Sequence, residues 1–429
     1  MDKKVLIISY YWPPAGGPGV QRWMKFVKYL PEYNIKPILY IPENPNYPIY
    51  DYSLNDEVSE KLEIIKNPIT EISNIISNSK SLNLIRSGNI PNPKEQSLFQ
   101  RLLFFIRGNL FIPDMKILWK NKSIDFIENY LSKTKIDVVI TTGPPHSLHL
   151  IGYELKKRLN IKWISDFRDP WVNLNYLNRF HLLPSVKRRH KKLRDKVLIN
   201  SNSVIVTSEK LKKLYKEIAP NIFKITNGYD YEYSTVNIDS KFSISHIGSL
   251  YPERNPKYLW DIIDEICINN EEFRSNLQIN FIGNTSEKII KYLSNKTFKS
   301  CVKFFDYVDY KRAIEFMCSS QILLMVEVND NDSSYAIPGK LFDYLNSKRP
   351  IIAIGPDRSE VNQILYDTNA GKFFNYNESI NLKLHIENLY NQYEMGSISY
   401  DAKNISIYRR KNLTEELSKI INKVSSYKK

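Results

Sequence analysis

The sequence predicts an α/β chain made of two doubly wound domains, each a parallel sheet covered by helices. Short apolar runs alternate with longer amphipathic stretches, the pattern of buried strands between helices. That pattern restarts after a polar stretch around Tyr233 to Lys241. Glycine, proline and charged residues gather just after the apolar runs, where open α/β sheets bind ligands. A chain of 429 residues is too long for one ordinary core and long enough for two.

Lys4 to Ser9 reads as the first strand. The turn that follows, Tyr10-Tyr11-Trp12-Pro13-Pro14-Ala15-Gly16-Gly17-Pro18-Gly19, is flexible enough at its glycines to open a helix. In that helix Val20, Trp23, Met24, Val27 and Leu30 share one face, leaving Arg22, Lys25 and Lys28 to face elsewhere. Ile35 to Ile41, Asp137 to Thr141, Lys162 to Ser165 and Ser203 to Val206 read as later strands. The second half supplies Phe242 to Ile247, Ile279 to Ile282, Ile322 to Val326 and Ile351 to Ile354. The expected division is therefore residues 1–238, residues 239–403, and a helical tail over 404–429 whose charge is mostly solvated. Two such domains facing each other would enclose a cleft, a usual place for a small-molecule site.

Sixty-one Lys and Arg against 46 Asp and Glu give a net charge of +15, which favours an anionic partner: nucleotide, phospholipid headgroup or nucleic acid. The three cysteines, Cys267, Cys301 and Cys318, have no metal-ligand spacing, and their odd number suits a reducing compartment. The apolar runs are too short or too interrupted for a signal peptide or a membrane span. The expectation is a cytoplasmic protein whose contact with a membrane is peripheral, on its inner face.

The most informative stretch is Ser333-Ser334-Tyr335-Ala336-Ile337-Pro338-Gly339-Lys340-Leu341-Phe342-Asp343-Tyr344-Leu345. It reads as a loop that opens a helix, with Pro338 suited to the first turn and Gly339 leaving room for a ligand at the backbone. Free N–H groups at such a start attract anions, and Lys340 adds a full charge. Asp343 lies one turn further along, so the segment suits a ligand with a diphosphate and a ribose. The plainer alternative is an exposed Lys340–Asp343 ion pair. Gly248 follows a strand and permits close approach, and Arg254 can clamp phosphate oxygens, unless it merely pairs with Glu253 in a solvated turn.

Two strand ends in the first half carry polar clusters. Thr141-Thr142-Gly143-Pro144-Pro145-His146-Ser147 offers an imidazole near a helix start, where capping or packing are the plain roles. Asp166-Phe167-Arg168-Asp169-Pro170-Trp171 puts two carboxylates and a guanidinium in one loop, either as a site or as an internal brace. The basic run Lys187-Arg188-Arg189-His190-Lys191-Lys192 and the apolar–basic segment Arg101 to Arg107 suit an anionic lipid surface, or are a solvated face and a buried helix.

Taken in order along the chain, these motifs resemble the GT-B glycosyltransferases of family 4, in a bacterial branch that builds surface polysaccharides. The resemblance rests on Trp12-Pro13-Pro14 with Gly16-Gly17-Pro18-Gly19, on Phe111-Ile112-Pro113-Asp114, and on the His146 and Asp169 clusters. Asn227-Gly228-Tyr229-Asp230 and Pro338-Gly339-Lys340 complete it. It implies two Rossmann-like domains facing across a cleft, and a retaining hexosyl transfer that needs no cofactor or bound metal. The nucleotide-sugar donor, UDP-linked in preference to GDP-linked, belongs to the second domain and the glycan acceptor, lipid-linked by expectation, to the first. Within the resemblance, Asp343 and Tyr335 stand where paired glutamates are usual, and Ser249 where an arginine is usual, with Arg254 in the basic position after it. His146 and Asp169 are then candidate catalytic contacts to the transferred sugar or acceptor. Gly16, Gly17, Gly248, Arg254, Gly339, Lys340 and Asp343 are candidate donor contacts. A sugar-nucleotide epimerase of the same fold and a basic nucleic-acid-binding protein are the alternatives, though no recognised nucleic-acid motif stands out.

Overall fold

The computed structural model describes residues 2–70, 93, 96–172, 175–231, 236–330 and 335–427. It contains two compact units, one of residues 1–227 with 410–429 and one of residues 228–409. The expected boundary at 238 thus moves upstream to Asn227/Gly228.

The first unit is a seven-stranded parallel sheet in the order β3-β2-β1-β4-β5-β6-β7. Its strands are β1 (Lys3–Ile8), β2 (Ile35–Pro42), β3 (Glu63–Asn67), β4 (Val138–Gly143), β5 (Trp163–Phe167), β6 (Ser203–Val206) and β7 (Ile222–Lys224). The second unit has six strands in the order β10-β9-β8-β11-β12-β13. They are β8 (Phe242–Ile247), β9 (Leu277–Ile282), β10 (Val302–Phe305), β11 (Ile322–Val326), β12 (Ile351–Gly355) and β13 (Gly371–Asn375). Both orders are the doubly wound one. Strand order reverses between β1 and β4 in one unit and between β8 and β11 in the other, and ligands of such sheets bind beyond the strand ends at that reversal. Helices cover both faces, so β4, β5, β8, β11 and β12 are buried along their whole length.

The tail expected over 404–429 is instead divided: residues 404–409 belong to the second unit, and the helix from Arg410 is part of the first core. In the helix Arg410–Ser425, Leu413, Leu417, Ile420, Ile421 and Val424 form one apolar stripe, buried in the same cluster as Val20, Trp23 and Val27 of the helix Pro18–Tyr29. The earlier helix also differs from expectation. Arg22 and Lys25, expected to face away from the core, are buried, and Lys28 is exposed.

Arg22 can be buried because its charge is answered. Its Nη2 and Nε donate to the Asp166 carboxylate at 2.9 and 3.3 Å, and its Nη1 donates to Thr226 O at 2.7 Å. Asp166 also accepts from Trp23 Nε1 at 2.7 Å and Thr142 Oγ1 at 3.0 Å. The pair ties the helix after β1 to the end of β5 with both side chains fully out of water. Removing one partner of such a pair leaves an uncompensated buried charge, at a cost of about 3–5 kcal/mol. Asp166→Ala should therefore lower stability by about that amount in urea unfolding, and Arg22→Met in the same chain should restore part of it. A loss under about 1 kcal/mol would mean that water reaches Arg22.

Candidate functional site

Each unit brings a group of the expected residues together at the carboxyl ends of its strands. In the second unit, Gly248 follows β8 directly with φ of 105°, a conformation that glycine adopts without a Cβ clash. Where a Cβ would stand on Gly248, Lys340 Nζ is the one non-neighbouring described atom within 4 Å, at 3.6 Å. A ligand atom entering that space therefore meets an ammonium.

Lys340 does not pair with Asp343. Its Nζ turns inward, donating to Ile247 O at 2.8 Å and to His246 Nε2 at 3.1 Å. Burial holds the Lys340 amine well below its ordinary pKa, and the nearby Arg254 guanidinium adds to that. No carboxylate among the described residues opposes either effect. Arg254 sits in the short turn Pro252–Arg254, its N–H donating to Tyr251 O at 2.9 Å, and its side chain makes no hydrogen bond or ion pair with Glu253 or any other described residue. Lys340 thus stands beside an open glycine with a second cation, Arg254, acting on it and no described carboxylate doing so.

The helix start itself contributes less than the sequence suggests. The helix Lys340–Asn346 has seven residues, and the N–H groups of Leu341 and Phe342 are bonded to Pro338 O at 3.0 Å and Gly339 O at 3.2 Å. The positive charge at this strand end is carried by side chains. Asp343 accepts from Tyr310 Oη at 2.8 Å and is part-buried, and Gly339 caps the helix. Ser333 and Ser334 lie outside the described residues.

In the first unit, Gly16 and Gly17 lead into the helix Pro18–Tyr29. Gly16 N–H is bonded to Ile49 O at 2.9 Å, whereas Gly17, at φ of 91°, has nothing within 4 Å of where its Cβ would be. His146 precedes the helix Ser147–Leu159 but does not cap it with its side chain. Asp114 does that, accepting from Ser147 N at 2.9 Å and Ser147 Oγ at 2.7 Å. His146 lies flat on Trp171, centroids 5.0 Å apart, with both ring nitrogens buried. Neighbouring His149 stacks on Phe167 at 4.4 Å and bonds Thr141 Oγ1 through Nδ1 at 2.9 Å.

The loop after β5 divides by role. Asp166 is spent on Arg22, and Arg168 is spent on the carbonyls of Gly143, Pro144 and Gly19. Asp169 is part-buried and keeps its carboxylate unbonded among the described residues. Burial raises its pKa, Arg168 opposes that rise, and Asp166 reinforces it.

Three groups escaped the sequence reading. His246, inside the apolar run of β8, holds Lys340. Tyr344 bonds Ile247 N at 3.0 Å. Glu327, the first residue after β11, is buried and bonded to Ser359 Oγ, with Tyr376 Oη on its carbonyl at 2.8 Å. A polar residue within or just beyond a buried strand was the available signal for His246 and Glu327. Among the described residues no group of three or more His, Cys, Asp or Glu could hold a metal ion.

No family model matches the chain, and no curated protein matches its sequence. Solved structures do match its fold over nearly its whole length. HepE of Anabaena, in complex with UDP and glucose, aligns with a TM-score of 0.62 at 12% identity, covering 98% of this chain and 100% of that one. A mutant of S. aureus TarM, in complex with fondaparinux, α-GlcNAc-glycerol and UDP, gives 0.57 at 12%, covering 98% and 100%. A Listeria monocytogenes protein assigned as a UDP-N-acetylglucosamine 2-epimerase gives 0.55 at 11%, covering 97% and 95%. The fold is GT-B. A glycosyltransferase of lipopolysaccharide biosynthesis, WaaG, aligns as well, with a TM-score of 0.52 at 12% identity, covering 97% and 99%. Since a transferase and a protein assigned as an epimerase share the fold, the reaction has to be argued from the site.

The stacked imidazoles make one prediction independent of the reaction. Burial lowers the His149 pKa from its ordinary 6.5 to about 3 and holds His146 well below 6.5. The unfolded chain thus binds protons below 6.5 that the folded chain refuses, so stability is full above that pH and falls towards about 3. Each such group contributes a slope of about 1.4 kcal/mol per pH unit. His149→Gln should flatten the acid limb of the urea midpoint, and an unchanged limb would show that folded His149 accepts its proton.

Proposed function

We propose that this chain is a glycosyltransferase that moves a sugar from a nucleotide-sugar donor, UDP-linked in preference to GDP-linked, to a glycan acceptor. The observation that carries the reading is Lys340 at the open position over Gly248, with Arg254 close enough to act on it and no carboxylate among the described residues opposing the two. A leaving diphosphate gains negative charge as the bond to the sugar breaks, and preorganised cations stabilise that transition state. They do so without a metal ion, and the proposed transfer is metal-independent. The second unit would hold the donor, with Asp343 on its ribose. The first unit would hold the acceptor near His146 and Asp169.

Transfer with retention, as in glycosyltransferase family 4, completes the proposal. The anomeric C–O bond breaks with its electron pair going to the diphosphate oxygen. The acceptor hydroxyl attacks the same face and gives its proton to a donor phosphate oxygen. Arg254→Ala and Lys340→Ala should each lower transfer from UDP-sugars by about one to three orders of magnitude, in assays run in EDTA. Normal kinetics in both folded variants would remove this diphosphate site. Dependence of wild-type turnover on added manganese or magnesium would remove metal independence, and epimerisation without an acceptor would assign the other reaction.

The acceptor is proposed to be lipid-linked, for bacterial surface polysaccharide, and met at the cytoplasmic face of a membrane. No helix among the described residues is long and apolar enough to cross one. The helix Leu98–Leu110 buries Phe104 and exposes Leu98, Phe99, Leu102, Phe105, Ile106 and Leu110, with Leu98 84% exposed. Its end is tied to the start of the basic helix Pro184–Asn200 by Leu183 N donating to Asn109 Oδ1 at 2.9 Å. That second helix buries Val186, His190, Arg194 and Val197 and exposes Lys187, Arg188, Arg189, Lys191 and Lys192. Exposed apolar side chains beside exposed cations suit an anionic bilayer, and favour it over nucleic acid, which the charge alone would also allow. Binding to anionic vesicles should weaken with salt and with Glu at positions 188, 189, 191 and 192, while donor affinity is kept. Equal binding to neutral and anionic vesicles would return both helices to a purely structural role.

A further inference from the structure

We propose that His246 is a positioning residue for the donor diphosphate, holding the Lys340 ammonium in place before the donor arrives. This rests on the reading above that Lys340 meets that diphosphate. The inference comes from a closed chain of hydrogen bonds beneath Gly248. His246 is buried, and its Nδ1 lies 3.1 Å from Leu324 O, an acceptor only, so Nδ1 carries the proton. The opposite nitrogen, Nε2, is then left as an acceptor, and Lys340 Nζ donates to it at 3.1 Å.

A second bond fixes the same ammonium from the backbone, through Ile247 O at 2.8 Å. Ile247 is itself clamped on its other side, its N–H donating to Tyr344 Oη at 3.0 Å. Lys340 and Tyr344 are one helical turn apart, so one short helix grips both polar groups of the last residue of β8. The Tyr344 hydroxyl in turn reaches Leu324 O at 3.4 Å. Two of three ammonium donors are thereby directed into the protein, and the position over Gly248 lies within reach of the same nitrogen.

A lysine side chain free in solvent samples many rotamers, and fixing it on ligand binding weakens affinity. Here the imidazole has already fixed it. The neutral form is what this role needs, because a proton on Nε2 would remove the acceptor and place a third positive charge beside Lys340 and Arg254. Burial, with Lys340 and then Arg254 adding to it, holds the His246 pKa well below 6.5, while bonds to the Leu324 and Ser249 backbone act the other way.

A double-mutant cycle read by UDP binding tests the proposal. His246→Leu should weaken UDP binding about tenfold in the otherwise native chain and less than twofold in Lys340→Ala. His246→Gln, whose amide oxygen can take the place of Nε2, should stay within about twofold of native. His246→Asn, whose oxygen stops short of it, should behave like His246→Leu. That last comparison stands even if the leucine variant does not fold. Equal losses from His246→Leu in both backgrounds would mean that His246 only supports the strand, and would overturn the proposal. So would native affinity in both His246→Leu and His246→Asn while Lys340→Ala is weakened. Unchanged UDP affinity in Lys340→Ala would instead refute the diphosphate site, and the positioning role would fall with it.

Discussion

Arg22 and Lys340 are cations drawn inward beneath the carboxyl ends of parallel strands, and the way each is answered separates architecture from chemistry. Arg22 is fully buried and meets a carboxylate, Asp166, which is filled in turn by Trp23 and Thr142. Its charge is cancelled where it stands, and the result is a joint between the helix after β1 and the end of β5. Lys340 meets only neutral acceptors, an imidazole and a carbonyl, with another cation nearby. Its hydrogen bonds are satisfied and its charge is not. A hydrogen-bonded but uncompensated ammonium remains available to an anion, which a salt-bridged one does not.

Sheet topology decides where such a residue can matter. In both units the order of strands reverses beside the first strand, so the loop leaving β1 and the loop leaving β8 occupy equivalent places. Each carries a glycine at positive φ, Gly17 and Gly248, with open space where a side chain would stand. The two places differ in lining. Gly248 has Lys340 Nζ against it, whereas Gly17 has no described atom within 4 Å. The charge asymmetry between equivalent loops is the physical basis for the proposal that the diphosphate binds in the second unit.

What could be read from the sequence follows from burial. Strands inside each sheet are covered on both faces and so are written as apolar runs, and β6, β8 and β11 lie where those runs lie. The strands that escaped, β3, β7, β10 and β13, are the four sheet edges. Their sequences, such as Glu63-Ile64-Ile65-Lys66-Asn67 and Gly371-Lys372-Phe373-Phe374-Asn375, mix charge with apolar residues because one flank faces outward. The return of the helix Arg410–Ser425 to the first unit was written in its stripe of Leu413, Leu417, Ile420, Ile421 and Val424, and a stripe does not name the core it joins. Among the candidate site residues, Gly248, Arg254 and Lys340 could be proposed from the sequence because glycine and cations just after strands have few structural uses. The division of the Asp166–Asp169 loop was not, since Arg22 lies far away in the sequence and nothing local pairs it with Asp166.

The state of His146 bears on which group takes the acceptor proton in the proposed transfer. An imidazole whose pKa is driven well below 6.5 by burial, and further by His149, Arg168 and His190, is a weak base. It can accept a hydrogen bond from a sugar hydroxyl but has little driving force to remove its proton. Asp169 is a stronger base than it would be in water, because burial outweighs the neighbouring Arg168. The diphosphate gains basicity during the reaction itself, as electrons arrive from the breaking bond, while Arg254 and Lys340 limit that gain by stabilising the charge. These opposing demands set the strength of the cation pair. Enough positive charge must be present to release the sugar, and not so much that the phosphate oxygen cannot receive the proton. A partly desolvated lysine beside one arginine attracts an anion more strongly than the same cations would in water, and in the proposed transfer the phosphate oxygen that takes the proton is one these cations leave free.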